Sequence, residues 1–492
     1  MSSDSHAAVP LEPPRPAPPA PLVDNKLVIA WFAMAAVGTV IGPVAGLLAA
    51  MKLDDPYFMG GVEWLQFGRV RIVHVNMVIL ATFTPAMFGL MCHAVPRMTG
   101  RPLWGIRGVW VAFGLMCVSL IVGPTLILNG ILQPVEAAEL PLFSDILVTL
   151  VFVLMTASVV MTVALRKEKK LYVTLWYWIG ALLWTCLNYP LGNFILPYVP
   201  HGTTSAAMAG MYLHDIVGLW ITPAGVGAAY YMLPIAAKST LYSHRLSIIG
   251  FWALAFFYPL NGVHHYLYSP IPDWVQTIAI ASSMMLILPV WAFCVNVWGT
   301  MRGRWSRWAG PDSYVLKMTM LGAVWYLITC FQGPTQALRV MQRWTHFGDY
   351  NVGHAHSAVF AVFVIWGLAA TYFCVPRAAG RRLWSSKLAT WTYWLEIMGF
   401  AIMFAVLSIS GLQQGAFQTT GYRLWVEETE SLRGLWLART FGGTLMDVGL
   451  ALFAFNIAMT MRRAPRVSPQ QADASVMAVN SPASPPSAAA AY

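Results

Sequence analysis

The chain has 492 residues, 58% apolar and 10% charged, whereas a soluble domain is about half apolar and a quarter charged; a soluble globular enzyme, a disordered chain and a nucleic-acid-binding module are excluded. The formal net charge of +10, from 30 Lys and Arg against 20 Asp and Glu, is read from where the cations fall along a membrane chain. The six cysteines, Cys92, Cys117, Cys186, Cys294, Cys330 and Cys374, lie in apolar stretches without C-x-x-C or C-x-x-C-H spacing, so a thiol zinc site, a redox pair and a covalently attached c-type heme are unsupported.

Residues 1–25, with the run PLEPPRPAPPAP, form a cytoplasmic tail that cannot bury enough apolar surface to fold, and they lack the pattern of a cleaved signal peptide. Apolar runs long enough to cross a bilayer of about 30 Å then recur at 27–51, 72–96, 108–130, 143–165, 172–196, 205–236, 246–268, 274–300, 316–338, 352–376, 388–413 and 437–461. The predicted fold class is an all-α membrane protein, a twelve-transmembrane-helix bundle. With no repeat of 20 to 50 residues visible, 26–466 reads as one domain. Residues 467–492, rich in Pro, Ala and Ser, form a second disordered tail.

The loops set the orientation. Arg97, Arg101, Arg107, Arg166, Lys167, Lys169, Lys170, Lys238, Arg245, Arg302, Arg304, Arg307, Arg381 and Arg382 fall on one side, joined by Arg462 and Arg463. Asp54, Asp55, Glu136, Glu139, Asp273 and Asp349 fall on the other. The positive-inside rule places both termini in the cytoplasm.

Ionisable groups inside spans are expensive, which makes them the first place to look for function. His74 lies near the outer start of the second span and His214 in the outer half of the sixth. His264 and His265 end the seventh, and His354 and His356 begin the tenth. Because even spans run inward and odd spans outward, these six fall at similar depth. Imidazole is the usual ligand for heme iron and for copper. In VGHAHS the two histidines are about 200° apart around a helix and face different cofactors, whereas His264 and His265, about 100° apart, share one metal only where the helix end is distorted. His214 would complete a three-imidazole copper site with an open position. A lone intramembrane histidine is as readily a hydrogen-bonding core residue, but the H-x-H and H-H pairs at matched depth favour ligation. His93, His201, His244 and His346, at span ends or in loops, read as solvated interface residues.

With these residues in view, the chain resembles the catalytic subunit I of the heme-copper oxidase superfamily, specifically its C-type (cbb-type) cytochrome c oxidases. The likeness runs from RVRIVH at 69–74 to GLQQG at 411–415 and FNIAMT at 455–460, and is densest in YYMLPIAAKSTLYSHRLSIIGFWALAFFYPLNGVHH, residues 230–265. It implies two b-type hemes and one copper ion. His74 and His356 would be the axial pair of the low-spin heme, His354 the proximal ligand of the high-spin heme, and His214, His264 and His265 the copper ligands. Arg71 would pair with heme propionates.

The resemblance also implies a catalytic tyrosine. In aa-type relatives it lies four residues after the first copper histidine, where this chain has Gly218; in C-type enzymes it precedes the His pair by six residues, where this chain has Tyr258. The family pattern implies a covalent link between Tyr258 and His214, and a tyrosine able to supply a proton and an electron as the O–O bond breaks. Tyr231, Ser247 and Tyr326 match positions of the family's single proton pathway. Two positions depart from the pattern: the helix 9 glutamate is Gln332, and the asparagine after the copper histidine is Asp215, which either hydrogen-bonds the ring or bears a proton.

The implied function is the catalytic subunit of a terminal respiratory oxidase in a bacterial inner membrane. It would reduce oxygen to water with electrons from membrane-bound cytochrome c subunits, drawing protons from inside, with pumping left open. Two alternatives stand beside it. A nitric oxide reductase-like subunit would hold non-heme iron in place of copper, with a glutamate where this chain has Gly218; a twelve-helix secondary transporter would place its site near the midplane.

Overall fold

The computed structural model describes residues 21–198, 201–309, 313–421 and 424–467. The predicted tails therefore lie, except where they adjoin the bundle, outside the described residues. Among the described residues the regular secondary structure is helical, apart from one isolated bridge between Arg381 and Arg466. Eleven helices are long and apolar enough to span a bilayer. In chain order with the twelfth they are α1 (Asn25–Asp54), α2 (Phe67–Thr99), α3 (Ile106–Leu128), α4 (Leu142–Ala164), α5 (Val173–Pro190), α6 (Thr203–Ala237), α7 (His244–Tyr266), α8 (Asp273–Met301), α9 (Ser313–Gln336), α10 (Asp349–Ala379), α11 (Ser386–Thr420) and α12 (Trp425–Arg462). The span that hydropathy alone passes over is α5, because Trp176, Trp178, Trp184, Tyr177 and Asn188 dilute its aliphatic content. The helix α12 begins about three turns before its apolar run, since Glu427, Glu428, Glu430 and Arg433 continue the helix beyond the hydrophobic layer.

Side chains start several helices. Asp24 accepts from the Lys26 and Leu27 amides at α1, Ser243 from Leu246 N at α7, and Ser385 from Leu388 N at α11. A local pattern recurs three times. In α2, α6 and α10 a proline (Pro96, Pro234, Pro376) precedes a left-handed cap at Gly100, Lys238 or Gly380, with φ of 68°, 49° and 59°. The connection that follows is tied to the next-but-one helix: Trp104 N donates to Thr162 Oγ1, Tyr242 N to Thr300 Oγ1 and Trp384 N to Thr460 Oγ1, at 2.8, 3.1 and 3.1 Å. Ser243 N and Ser385 N likewise donate to Asn296 Oδ1 and Asn456 Oδ1. The period exceeds the 20 to 50 residues of a solenoid or propeller repeat, and only a few residues per unit carry it.

The apolar stretches of α2, α6 and α10 are 94, 94 and 89% buried, against 28 to 50% for the other eight helices long and apolar enough to span a bilayer. These three helices form the centre of the bundle and carry four of the six singled-out histidines, the other two ending α7. Each is interrupted just past its histidine by a wider turn of π-helix, at Met77–Phe83, Ile216–Ile221 and Val359–Val364, a feature frequent at functional sites. At the outer end of α7 the α-helix stops at Phe257 and gives way to tighter 3₁₀ segments, Tyr258–Leu260 and Gly262–Tyr266.

Candidate functional site

All six histidines, His74, His214, His264, His265, His354 and His356, line one internal cavity of about 720 Å³, together with Arg71, Tyr258 and Tyr326. Within it they form three groups.

His74 and His356 face one another from α2 and α10, their ring centres 6.0 Å apart and their planes within 15°. His74 Nδ1 donates to the Gly42 carbonyl of α1 at 2.9 Å, and His356 Nδ1 to Val352 O at 2.8 Å. With Nδ1 tied to a carbonyl, each ring keeps Nε2 as a lone-pair donor. A metal–imidazole bond of about 2 Å on each side, plus about 1 Å from nitrogen to ring centre, gives about 6 Å, so the spacing suits one ion held between two rings.

His214, His264 and His265 bring ligand nitrogens within 4.8 Å of one another. The break in α7 lets the two adjacent histidines converge, with ring centres 4.6 Å apart, as the expected distorted helix end requires. His214 Nδ1 lies 3.1 Å from His265 Nε2, while its Nε2 is buried without a hydrogen-bond partner. His264 Nδ1 donates to Ser283 Oγ of α8 at 2.5 Å, and that hydroxyl donates in turn to Ala279 O. The backbone is clamped from the α9–α10 connection: His346 Nε2 donates to His265 O at 2.8 Å and Gln342 Nε2 to His264 O at 3.3 Å. Tyr258 lies beside this group, its ring centre 4.7 Å from that of His214 and its hydroxyl near Thr222.

His354, also on α10, stands apart from both groups. Its Nδ1 donates to Gln332 Oε1 of α9 at 3.3 Å, leaving Nε2 free. The outer start of α10 is fixed by Asp349, whose Oδ2 accepts from Ser410, Gln414 and Trp436 at 2.8, 3.2 and 2.7 Å.

Arg71 lies at the cavity rim, paired with Glu136 at 2.8 Å. Nearby Glu139, in the α3–α4 connection, is within 3.5 Å of Asn76 Nδ2, and burial pushes its carboxyl above the usual range. Asp215 is buried, with Oδ1 unpartnered and no hydrogen bond to the His214 ring, and it does not line the cavity. Of the proposed hydroxyl chain, Tyr326 lines the cavity, and Ser247 is buried with its hydroxyl turned back onto His244 O. Tyr231 stands apart: its ring meets Trp178 and Phe373, and its hydroxyl has no partner. Its neighbour Tyr230 faces the other way, onto Tyr177 and Phe293, with Asn296 Nδ2 3.4 Å from its hydroxyl. Phe293 in turn touches Tyr326, and Tyr177 lies beside Ser247.

Two of the histidines expected at solvated interfaces are placed differently. His93 is fully buried against Phe373, because Arg97 and Arg377 prolong the buried helices past it, and His346 is drawn over the cavity by its bond to His265. His201 and His244 are exposed. Sequence reading passed over Ser283, Gln342 and Arg439. Arg439 lies within the last apolar run, lines the cavity and pairs with Asp54 of α1 at 3.4 Å; an arginine in a span was the available signal.

Residues 26–445 match the family described as cytochrome c and quinol oxidase polypeptide I. Among curated proteins, the chain is 30% identical over 446 residues to the bacteroid cytochrome c oxidase subunit 1 homolog of Bradyrhizobium diazoefficiens, covering 87% of this chain and 81% of that one. It is 29% identical over 454 residues to the cbb3-type cytochrome c oxidase subunit CcoN1 of Stutzerimonas stutzeri, covering 89% and 95%. A solved heme-copper terminal oxidase dimer aligns with a TM-score of 0.69 at 16% identity, over 90% of this chain and 85% of that one.

Proposed function

The chain belongs to the cytochrome c and quinol oxidase polypeptide I family, and from that premise we propose how its residues serve the catalytic subunit of a terminal respiratory oxidase, a multi-pass membrane oxidoreductase of the heme-copper type. The finer reading is a C-type cytochrome c oxidase with two b-type hemes and one copper ion. His74 and His356 would hold the low-spin iron, His354 the high-spin iron, and His214, His264 and His265 the copper. The free Nε2 atoms of His74, His356 and His354, the 6.0 Å spacing of His74 and His356, and the convergence of His214 Nδ1 on His265 Nε2 at 3.1 Å support this fit, leaving His214 Nε2 for Tyr258. When bound, these groups supply electron transfer and the binding and reduction of oxygen.

The protein's own part is to orient ligands and deliver protons. Gly42 O, Val352 O and Ser283 Oγ each take an Nδ1–H and so fix a tautomer. Gln332 does the same for His354 without adding charge. Tyr258 holds a transferable phenolic proton beside the three-histidine group. The route to it runs through Tyr230, Tyr177, Ser247 and Tyr326, with Tyr231 outside it. Arg71 and Arg439, each balanced by a carboxylate, are the rim cations for propionates. Both termini are assigned to the cytoplasm of a bacterial inner membrane, 26–466 to the catalytic domain, and the electron donors to membrane-bound cytochrome c subunits, since no c-type heme motif occurs in the chain.

The observation that carries oxygen as substrate is the place of Tyr258. Its ring fills the space in front of Gly218, so that even a Cβ at 218 would overlap it. A glutamate there, as in the nitric oxide reductase alternative, would have to expel this ring. Metal analysis of the purified complex, with oxygen uptake and nitric oxide consumption measured in parallel, tests the reading. Copper with oxygen uptake is expected; non-heme iron with nitric oxide turnover alone would overturn it.

A further inference from the structure

Two carboxyl groups lie inside the bundle away from the histidines. Glu396 of α11 is 1% exposed, and neither of its oxygens has a hydrogen-bond partner. Asp447 of α12 lies within electrostatic reach of it; its Oδ2 is buried and unpartnered, and the residue lines the cavity that contains His74 and His356. Gly449 makes the niche, since a Cβ there would overlap Glu396 Oε1. The threefold pattern makes these acids conspicuous. The same register in the other two units puts Leu254 and Ile287, and Met116 and Thr149, at these places, so the architecture does not require a carboxyl at either.

An unpaired carboxylate in such surroundings is very costly, and a carboxylic acid is the tolerable form. Hydroxyl groups lead to the pair from the end of the bundle that carries Lys317, Arg381 and Lys387. Tyr314 of α9 donates to Ser386 O and lies 3.3 Å from Thr390 Oγ1. Its ring is 6.2 Å from that of Tyr372 on α10, whose buried hydroxyl lies near Thr392, Asn456 and Glu396 without a hydrogen-bond partner, while Thr392 Oγ1 donates to Gly449 O at 3.2 Å. Thr392 is one turn from Glu396 on α11. The nearest cation on α12, Arg439, is two turns outward and engaged with Asp54 of α1.

We propose that Glu396 and Asp447 form a proton-holding site, filled through Tyr314, Tyr372 and Thr392, whose occupancy responds to the charge in the cavity that Asp447 borders. An electron arriving there adds a negative charge, and one proton from the Tyr314 end binds a carboxylate oxygen of the pair to balance it. This chain of groups runs through α9, α10, α11 and α12 and is separate from the route to Tyr258. It rests on the His74–His356 pair holding a redox cofactor.

The test is reduced-minus-oxidised infrared spectroscopy of the complete purified complex in H2O and D2O, with heme absorbance recorded on the same sample. A carboxylic C=O band that responds to reduction and moves to lower frequency in D2O is expected, lost in Glu396→Gln and displaced in Asp447→Asn. A band unchanged in both variants overturns the proposal, as does no carboxyl band while heme is fully reduced; missing heme absorbance would instead count against the ligand assignment on which it rests. A response that follows sodium concentration rather than the hydrogen isotope would also overturn it. Thr392→Val, which leaves both acids in place, should slow isotope exchange of the band several-fold; exchange at the unaltered rate removes the route.

Discussion

The Tyr258 ring occupies the volume that any side chain at residue 218 would need. An added Cβ on Gly218 would overlap ring carbons Cε1, Cδ1 and Cζ, and the same ring lies 4.7 Å from His214. The absence of a side chain on α6 is thus the condition for a tyrosine from α7 to reach the three-histidine group.

Gly218→Ala should therefore displace Tyr258 while leaving the histidines in place. Misplacing a reacting group by about 1 Å can cost about a hundredfold in rate. Oxygen uptake should fall by that order with heme spectra retained; unchanged uptake would show that the ring position is not needed.

The unpartnered Nε2 of His214 and the adjacent Tyr258 ring suit the covalent link expected of this family. Mass spectrometry of proteolysed protein should find the peptides bearing His214 and Tyr258 joined and two hydrogens lighter than their sum. Recovery of both peptides separately, in full yield, would exclude the bond.

Ser283 accepts the Nδ1 proton of His264 and so keeps the other nitrogen available. Such supporting hydrogen bonds are worth about 10- to 100-fold in metal affinity. Ser283→Ala should lose copper to a mild chelator over that range of concentration while heme content stays constant, as read by metal analysis after dialysis.

Gln332→Glu places a charge capable of strengthening the Nδ1 hydrogen bond of His354. A carboxylate beside the proximal imidazole favours the oxidised metal. The midpoint potential of the high-spin heme should fall in spectroelectrochemical titration, with the low-spin heme much less affected. A rise would contradict the assigned neighbourhood.

Tyr230 and Tyr231 are adjacent in sequence but face different sides of α6. Tyr230→Phe, Tyr326→Phe and Ser247→Ala should each slow steady-state oxygen reduction by about a hundredfold, the lower end of the usual range for a lost proton-transfer group, without loss of heme. Tyr231→Phe should leave turnover near normal. Equal effects at 230 and 231 would show that side-chain direction does not select the route.

The composition and the apolar runs determined by themselves that this is a membrane helix bundle, because about twenty apolar residues in succession have few other stable environments. The histidines were legible for the same reason: a costly residue type recurred at one depth on four spans. Glu396, Asp447 and Arg439 carried that signal too, within their own apolar runs, but a single ionisable residue without a patterned partner stands out less. Only the tertiary structure decided how the groups meet. The π segments of α2, α6 and α10 and the 3₁₀ break in α7 re-aim side chains through hydrogen-bond shifts that leave no mark on hydropathy. Ser283 and Gln332 acquire their roles from helices distant in sequence. In α6, buried nearly all round, no apolar stripe distinguishes one face from another, so the packing of neighbouring helices, and not periodicity, sends Tyr230 toward Tyr177 and Tyr231 away from it.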